Sequence, residues 1–139
     1  MFGRKKYIPV KLPTEPRSRV LPVQGQSCPN CGGWISAEQL AGNSGVCPKC
    51  NENLTLGAFQ RIELLTDPQS FEEMDPLLTA DNILEFPDYD KKLDQAQQAS
   101  GLCEAIITGI ASIGGYKVVL GIMDSHFMMG SMGVAVGEK

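Results

Sequence analysis

Four of the five cysteines fall in two Cys-x-x-Cys pairs, Cys28-Pro-Asn-Cys31 and Cys47-Pro-Lys-Cys50, with fifteen residues between them. This pattern restricts the chain more than any other feature. Two residues between cysteines let one tight turn aim both thiolates at a single ion while backbone N–H groups stay free to bond the sulfurs. Two such turns complete a tetrahedral shell with no open position, so the metal, a single Zn2+, is structural and takes no part in chemistry. Two other uses of cysteine fit less well. A redox dithiol needs one reactive pair beside a β-α-β pattern, which is not visible, and a disulfide framework calls for an export signal, whose apolar core is missing.

From Cys28 to about Leu56 the chain is rich in Cys, Gly and Asn and poor in large apolar residues, so this stretch needs its metal to fold. We read residues 28–56 as a zinc ribbon. Residues 1–27 form a basic leader, with Arg4, Lys5, Lys6, Lys11, Arg17 and Arg19 among four prolines and no sustained apolar period; the pattern predicts a flexible tail. The formal charge of −4 conceals this asymmetry, because Glu63 to Asp94 carries mostly Asp and Glu. No run approaches the roughly 20 apolar residues of a membrane span. The expectation is a cytoplasmic protein that does not enter the membrane.

Residues 57–102 read as an acidic, helical connector. Ala58 to Leu65 places Phe59, Ile62 and Leu65 on one helical face, ended by Asp67-Pro68. Asp88 to Ala99 predicts a surface helix with Asp88 as its N-cap, Tyr89, Leu93 and Ala96 facing inward, and Gly101 past its end. At Cys103 the composition changes. Glu104 to Ile113 and Tyr116 to Met123 are two β-rich runs joined by Gly114-Gly115, a hairpin apolar at nearly every position and so expected to be covered on both faces. A helix is expected to begin near Ser131.

Several single residues invite functional readings. Trp34 follows the first cysteine pair and could stack on a base, but packing against the zinc loop suits the acidic surroundings better. Cys103 reads as a buried thiol, the methionines near residue 128 as packing, and His126 as a structural histidine, since no partner for it is visible in the sequence. Gly130-Ser-Met-Gly133 stands where a strand gives way to a helix, so its N–H groups could meet an anion. The closing Gly137-Glu-Lys139 lacks the Gly-Lys-Ser/Thr of a phosphate loop.

Taken in order, CPNCGGWI, VCPKC, AFQRIELL, the apolar hairpin and MDSHFMMGSMGVAVGEK resemble the β subunit family of the acetyl-CoA carboxylase carboxyltransferase of bacterial type. The resemblance runs from about Cys28 to Lys139 and rests on the order of its parts. It implies an α/β architecture: a four-cysteine zinc ribbon followed by a crotonase-like domain of β-β-α units, here residues 103–139 and incomplete. The family's enzyme moves a carboxyl group from carboxybiotin, held on a biotin carboxyl carrier protein, to acetyl-CoA, giving malonyl-CoA for fatty acid synthesis. Its α and β subunits assemble as a heterotetramer. By the same resemblance Phe127, Gly130, Ser131 and Gly133 shape the acyl-CoA pocket, Cys28, Cys31, Cys47 and Cys50 hold the zinc, and no catalytic residue is assigned. The family's Ser-Gly-Gly-Ala-Arg oxyanion segment is absent, so the expectation is the N-terminal portion of a longer subunit, inactive alone. The competing reading is a zinc-ribbon nucleic-acid-binding or adaptor module without catalytic activity.

Overall fold

The computed structural model describes residues 25–139; most of the basic leader lies outside the described residues. Two apolar cores organise them. The smaller gathers Cys28, Ile35, Leu40 and Cys47, and the larger gathers Ala58, Ile62, Leu102, Ala105, Ile107, Ile122, Phe127 and Val136.

The smaller core belongs to the ribbon. Strands β1 (Gly25–Ser27) and β2 (Trp34–Ser36) pair antiparallel, with Ser27 opposite Trp34, so ordered pairing begins ahead of the first cysteine, inside the stretch read as leader. Helix α1 (Ala37–Gly42) follows at once because Ser36 and Gln39 cap each other: the Ser36 hydroxyl accepts from the Gln39 N–H at 3.2 Å, and the Gln39 amide accepts from the Ser36 N–H at 3.0 Å. Alternation along β2 buries Ile35 and turns Trp34 outward. Trp34 is 59% exposed, which corrects the expectation that it packs against the zinc loop.

The larger core lies under a three-stranded antiparallel sheet ordered β3 (Glu72–Met74), β4 (Ile106–Ile113), β5 (Tyr116–Met123). The hairpin was legible in the sequence; β3 was not. Its register sets Glu72 opposite Ile110 and Met74 opposite Thr108. Gly109 permits the approach, since a Cβ there would lie 2.5 Å from both the Glu72 carbonyl oxygen and the Phe71 ring. Helix α2 (Ala58–Leu65) buries Ala58 and Ile62, one turn apart, with Phe59 packed beside them, whereas Leu65 is 53% exposed and so not inward as its spacing suggested.

Helix α3 (Tyr89–Ser100) ends at Gly101 in the left-handed region (φ 72°), as anticipated. Its start differs from expectation: Asp88 itself is left-handed (φ 60°) and its side chain caps nothing. The helix buries Gln97, whose amide donates to the Thr79 hydroxyl (3.2 Å) and the Cys103 carbonyl (3.1 Å). Buried Glu104 completes this network by accepting from the Ala80 N–H at 2.8 Å. Cys103 is half-buried, less enclosed than foreseen. After β5 come a single tight turn at Met128–Gly130 and helix α4 (Val134–Glu138), which starts three residues later than the sequence suggested.

Coverage of the hairpin on both faces is not seen among the described residues. The face of Ile107, Ala111 and Ile122 is buried, while Val119 on the other is 72% exposed. The hairpin tip is held from outside. Gly114 and Gly115 (φ 57° and 82°) form the turn, and their N–H groups donate to the two oxygens of Asp67 at 2.9 and 2.8 Å. The Asp67 N–H donates in turn to the Ser112 carbonyl at 2.8 Å. Asp67→Ala removes both side-chain bonds at an exposed site and is expected to cost about 1–2 kcal/mol in urea unfolding, with amide exchange rising first at the hairpin tip.

Candidate metal centre and the Asp124 junction

The two knuckles are built alike. In the first, the Cys28 N–H donates to the Gly33 carbonyl (2.9 Å) and the Gly32 N–H to the Cys28 carbonyl (2.9 Å). In the second, the Cys47 N–H donates to the Glu52 carbonyl (2.8 Å) and the Asn51 N–H to the Cys47 carbonyl (3.0 Å). The residue after each second cysteine, Gly32 or Asn51, takes the left-handed conformation that folds the turn back (φ 67° and 59°). Glycine and asparagine adopt it at least cost.

These turns bring all four sulfurs within 4.8 Å of one another. The Cys28 and Cys50 sulfurs are 3.6 Å apart, and those of Cys31 and Cys47 3.8 Å. A zinc ion with Zn–S bonds of about 2.3 Å requires a tetrahedral edge of about 3.8 Å, so the four fit the ion. A disulfide would need about 2.05 Å, and the cysteines are free thiols.

Electrostatics make the same demand. Burial pushes the Cys47 thiol up, but the N–H groups of Lys49 and Cys50 and the neighbouring thiols outweigh it and lower it to about 7. At Cys50 the Glu52 N–H favours the thiolate, yet burial and the thiols of Cys28, Cys47 and Cys31 carry it up to about 12. Four sulfurs this close ionise together only around a cation.

A second polar cluster joins the ribbon's exit to the body. Asp124, buried at the end of β5, accepts from the Ala58 N–H at 2.6 Å through Oδ2, and so caps α2. Its Oδ1 accepts from the His126 N–H at 2.9 Å and lies 2.7 Å from the His126 Nδ1. A Cβ on Gly57 would sit 3.1 Å from Asp124 Oδ2, so glycine before the helix lets the carboxylate reach. His126 therefore has the partner that was not visible in the sequence, although a carboxylate closing a turn on an N–H two residues later is a recurrent local pattern that could have suggested it.

Burial would push the Asp124 carboxyl up, but the N–H groups of Ala58 and His126 and the imidazole outweigh it and hold it below the usual carboxylate range. A lowered folded-state value means that this stabilisation is complete above about pH 4 and is lost as pH falls through the lowered value. Asp124→Ala is expected to cost about 2–3 kcal/mol at pH 7, with the loss shrinking below about pH 4, as measured by denaturant titration at several pH values.

Phe127, Gly130, Ser131 and Gly133 are distributed along one turn. Phe127 is 2% exposed and lies in the larger core. Gly130 (φ 73°) follows Met128 and Met129, which are also left-handed, and its N–H donates to the Phe127 carbonyl at 2.8 Å. Ser131 and Gly133 are exposed. A cavity of about 300 Å³ is lined by Phe59, Leu102, Glu104, Ile106 and neighbours, and one of about 210 Å³ by Thr79, Asp90, Asp94, Gln97 and neighbours; none of the four residues lines either. Among the described residues no helix is long and apolar enough to cross a membrane.

Known proteins are similar to this chain in sequence. Residues 27–50 match the family described as the acetyl-CoA carboxylase zinc finger domain. The acetyl-coenzyme A carboxylase carboxyl transferase subunit beta of Syntrophomonas wolfei is 48% identical over 99% of this chain and 49% of its own length. The proteins of that name from Carboxydothermus hydrogenoformans and Pelotomaculum thermopropionicum are 44% and 42% identical over 99% and 100% of the chain, and again 49% of their own lengths. Homologous along nearly all of its residues to acetyl-coenzyme A carboxylase carboxyl transferase subunit beta, the chain spans about half the length of the curated relatives it matches.

Proposed function

We propose that these residues serve as the zinc-ribbon and hairpin portion of a carboxyltransferase β subunit. The whole enzyme transfers a carboxyl group from carboxybiotin on a carrier protein to acetyl-CoA, giving malonyl-CoA for fatty acid synthesis in the cytoplasm. One observation carries the reading: identity of 42–48% extends over 99–100% of the chain, through the thiol cluster and the hairpin alike. A shared metal site alone would confine the likeness to residues 27–50.

The division of labour follows from chemistry. Transfer passes through an enolate at the thioester and negative charge on the biotin ureido oxygen, so the site must present preorganised donors. A closed thiolate shell cannot supply a Lewis-acid position, which leaves zinc to hold the ribbon. The exposed backbone around Ser131 and Gly133 supports a role at the acyl-CoA pocket within a crotonase-like domain, completed by an α subunit. Phe127, buried in the larger core at the start of that turn, ties it to the body, its carbonyl accepting from the Gly130 N–H.

A chimera tests the proposal. This chain would replace the matching half of the Syntrophomonas wolfei subunit, and malonyl-CoA-dependent carboxylation of biotin would be assayed with the α subunit. Turnover within about tenfold of the parent is expected, a loss of about 1.4 kcal/mol in transition-state stabilisation. A folded, zinc-loaded chimera with no turnover would overturn it. The exposure of Trp34 favours a second reading, a nucleic-acid-binding ribbon. No retention of RNA or DNA on filters at about 50 mM salt would remove it.

A further inference from the structure

The loop before α3 displays apolar side chains on a hydrogen-bonded frame. The Asn82 side chain clasps Phe86 at both ends: its Oδ1 accepts from the Phe86 N–H at 2.8 Å, and its Nδ2 donates to the Phe86 carbonyl at 3.1 Å. The same Nδ2 also donates to Asp90 at 3.2 Å. Glu85 is left-handed (φ 50°), and its N–H donates to the Asn82 carbonyl at 3.1 Å. The knuckle so formed holds Ile83, Leu84 and Phe86 outward at 51%, 89% and 65% exposure. Single exposed apolar residues are ordinary, but three within four residues on a hydrogen-bonded loop form a patch, and patches mark interaction surfaces.

The rim determines what could cover it. Asp81, Glu85, Asp88 and Asp90 flank the patch along the chain, Asp90 bonded to Asn82 itself, and from residue 62 to residue 90 the chain has nine carboxylates and no Lys or Arg. A matching occupant is basic and apolar at once. Residues 4–23 of the same chain have that composition: Arg4, Lys5, Lys6, Lys11, Arg17 and Arg19 against Glu15 alone, interleaved with Tyr7, Ile8, Val10, Leu12, Val20, Leu21 and Val23. Reach is adequate. At roughly 3.3–3.6 Å per extended residue, Lys6 to Leu12 can lie about 40–65 Å from Gly25, more than the ~35 Å diameter of a domain this size.

We propose that the 82–86 knuckle is the docking site for the N-terminal segment 4–23 of its own chain. Tethering makes the encounter intramolecular, so modest affinity suffices.

Zero-length carbodiimide cross-linking of the full chain tests this. The reagent activates a carboxylate, a lysine amine displaces the urea, and an amide links the two. Cross-links from Lys5, Lys6 and Lys11 are expected to concentrate on Asp81, Glu85, Asp88 and Asp90. They should be intramolecular in a mixture of 14N- and 15N-labelled chains and mostly lost at about 1 M salt, where screening acts within about 3 Å. Leu84→Ser with Phe86→Ser keeps every charge and alters only exposed side chains, and it should also remove most of the yield. Three results would overturn the proposal: links spread evenly over Glu63, Glu72 and Glu138, links only between differently labelled chains, or an unchanged yield in the double variant.

Discussion

Removing the metal, by chelation or by Cys28→Ser, should unfold residues 25–56 while leaving the sheet of the body intact. The ribbon buries only two large apolar side chains completely, Ile35 and Leu40. At about 1.5–3 kcal/mol each they supply a few kcal/mol, whereas ordering a single residue's backbone costs roughly 1–2 kcal/mol. Structural zinc contributes on the order of 10–16 kcal/mol in comparable peptides, enough to reverse the balance. Mass spectrometry should find about one zinc per chain in the parent and almost none in the variant. Because Trp34 is the chain's one tryptophan, its fluorescence reports the ribbon alone. The sign with pH follows from the thiols. Protons compete with the metal for all four thiolates, so affinity should weaken progressively as pH falls. A metal-free protein that kept its Trp34 emission and slow exchange at Ile35 would refute this.

Phe127→Ala should produce the converse: a damaged body beneath an intact ribbon. Phe127 is 2% exposed and packs in the larger core with Ala58, Ile62, Ile122 and Val136. Truncating a buried phenylalanine typically costs about 3–5 kcal/mol, much of the stability of a domain this small. The urea midpoint of the body should collapse while zinc content stays near one per chain. Phe127→Leu should lose much less, about 1–2 kcal/mol, because most of the volume is kept. That milder variant also separates two roles. If it folds normally in a complete subunit yet raises the KM for the acyl-CoA, Phe127 touches substrate; if KM is unchanged, the residue acts by supporting the turn above it.

What could be read from the sequence divides along a physical line. Local interactions were legible: the knuckles, because ligand spacing is set by one turn; α2, because Ala58 to Leu65 has a helical period; and the hairpin, because Gly114-Gly115 separates two β-rich runs. Features that join distant segments were not. β3 consists of Glu72, Glu73 and Met74, with no alternation to mark a strand, and exists because Gly109 gives it room. The bond from Ala58 to Asp124 spans 66 residues, and nothing near either residue announces the other. Trp34 was misjudged because a side chain beside a metal loop can face in or out, and only the pairing of β2 with β1 decides which.

The placement of β3 bears on the order in which a growing chain can acquire its structure. Its partners on β4 lie 34 to 38 residues ahead, so Glu72–Met74 emerges from the ribosome with nothing to pair with. The ribbon's ligands, by contrast, are complete once Cys50 has been made, and β4 and β5 need only a two-residue turn to find each other. Metal capture should therefore come first, hairpin closure second, and the addition of β3 last, since long-range pairing is slow. Until that final step one edge of β4 stays open to other chains, making the interval before β3 docks the period of greatest risk of misassembly.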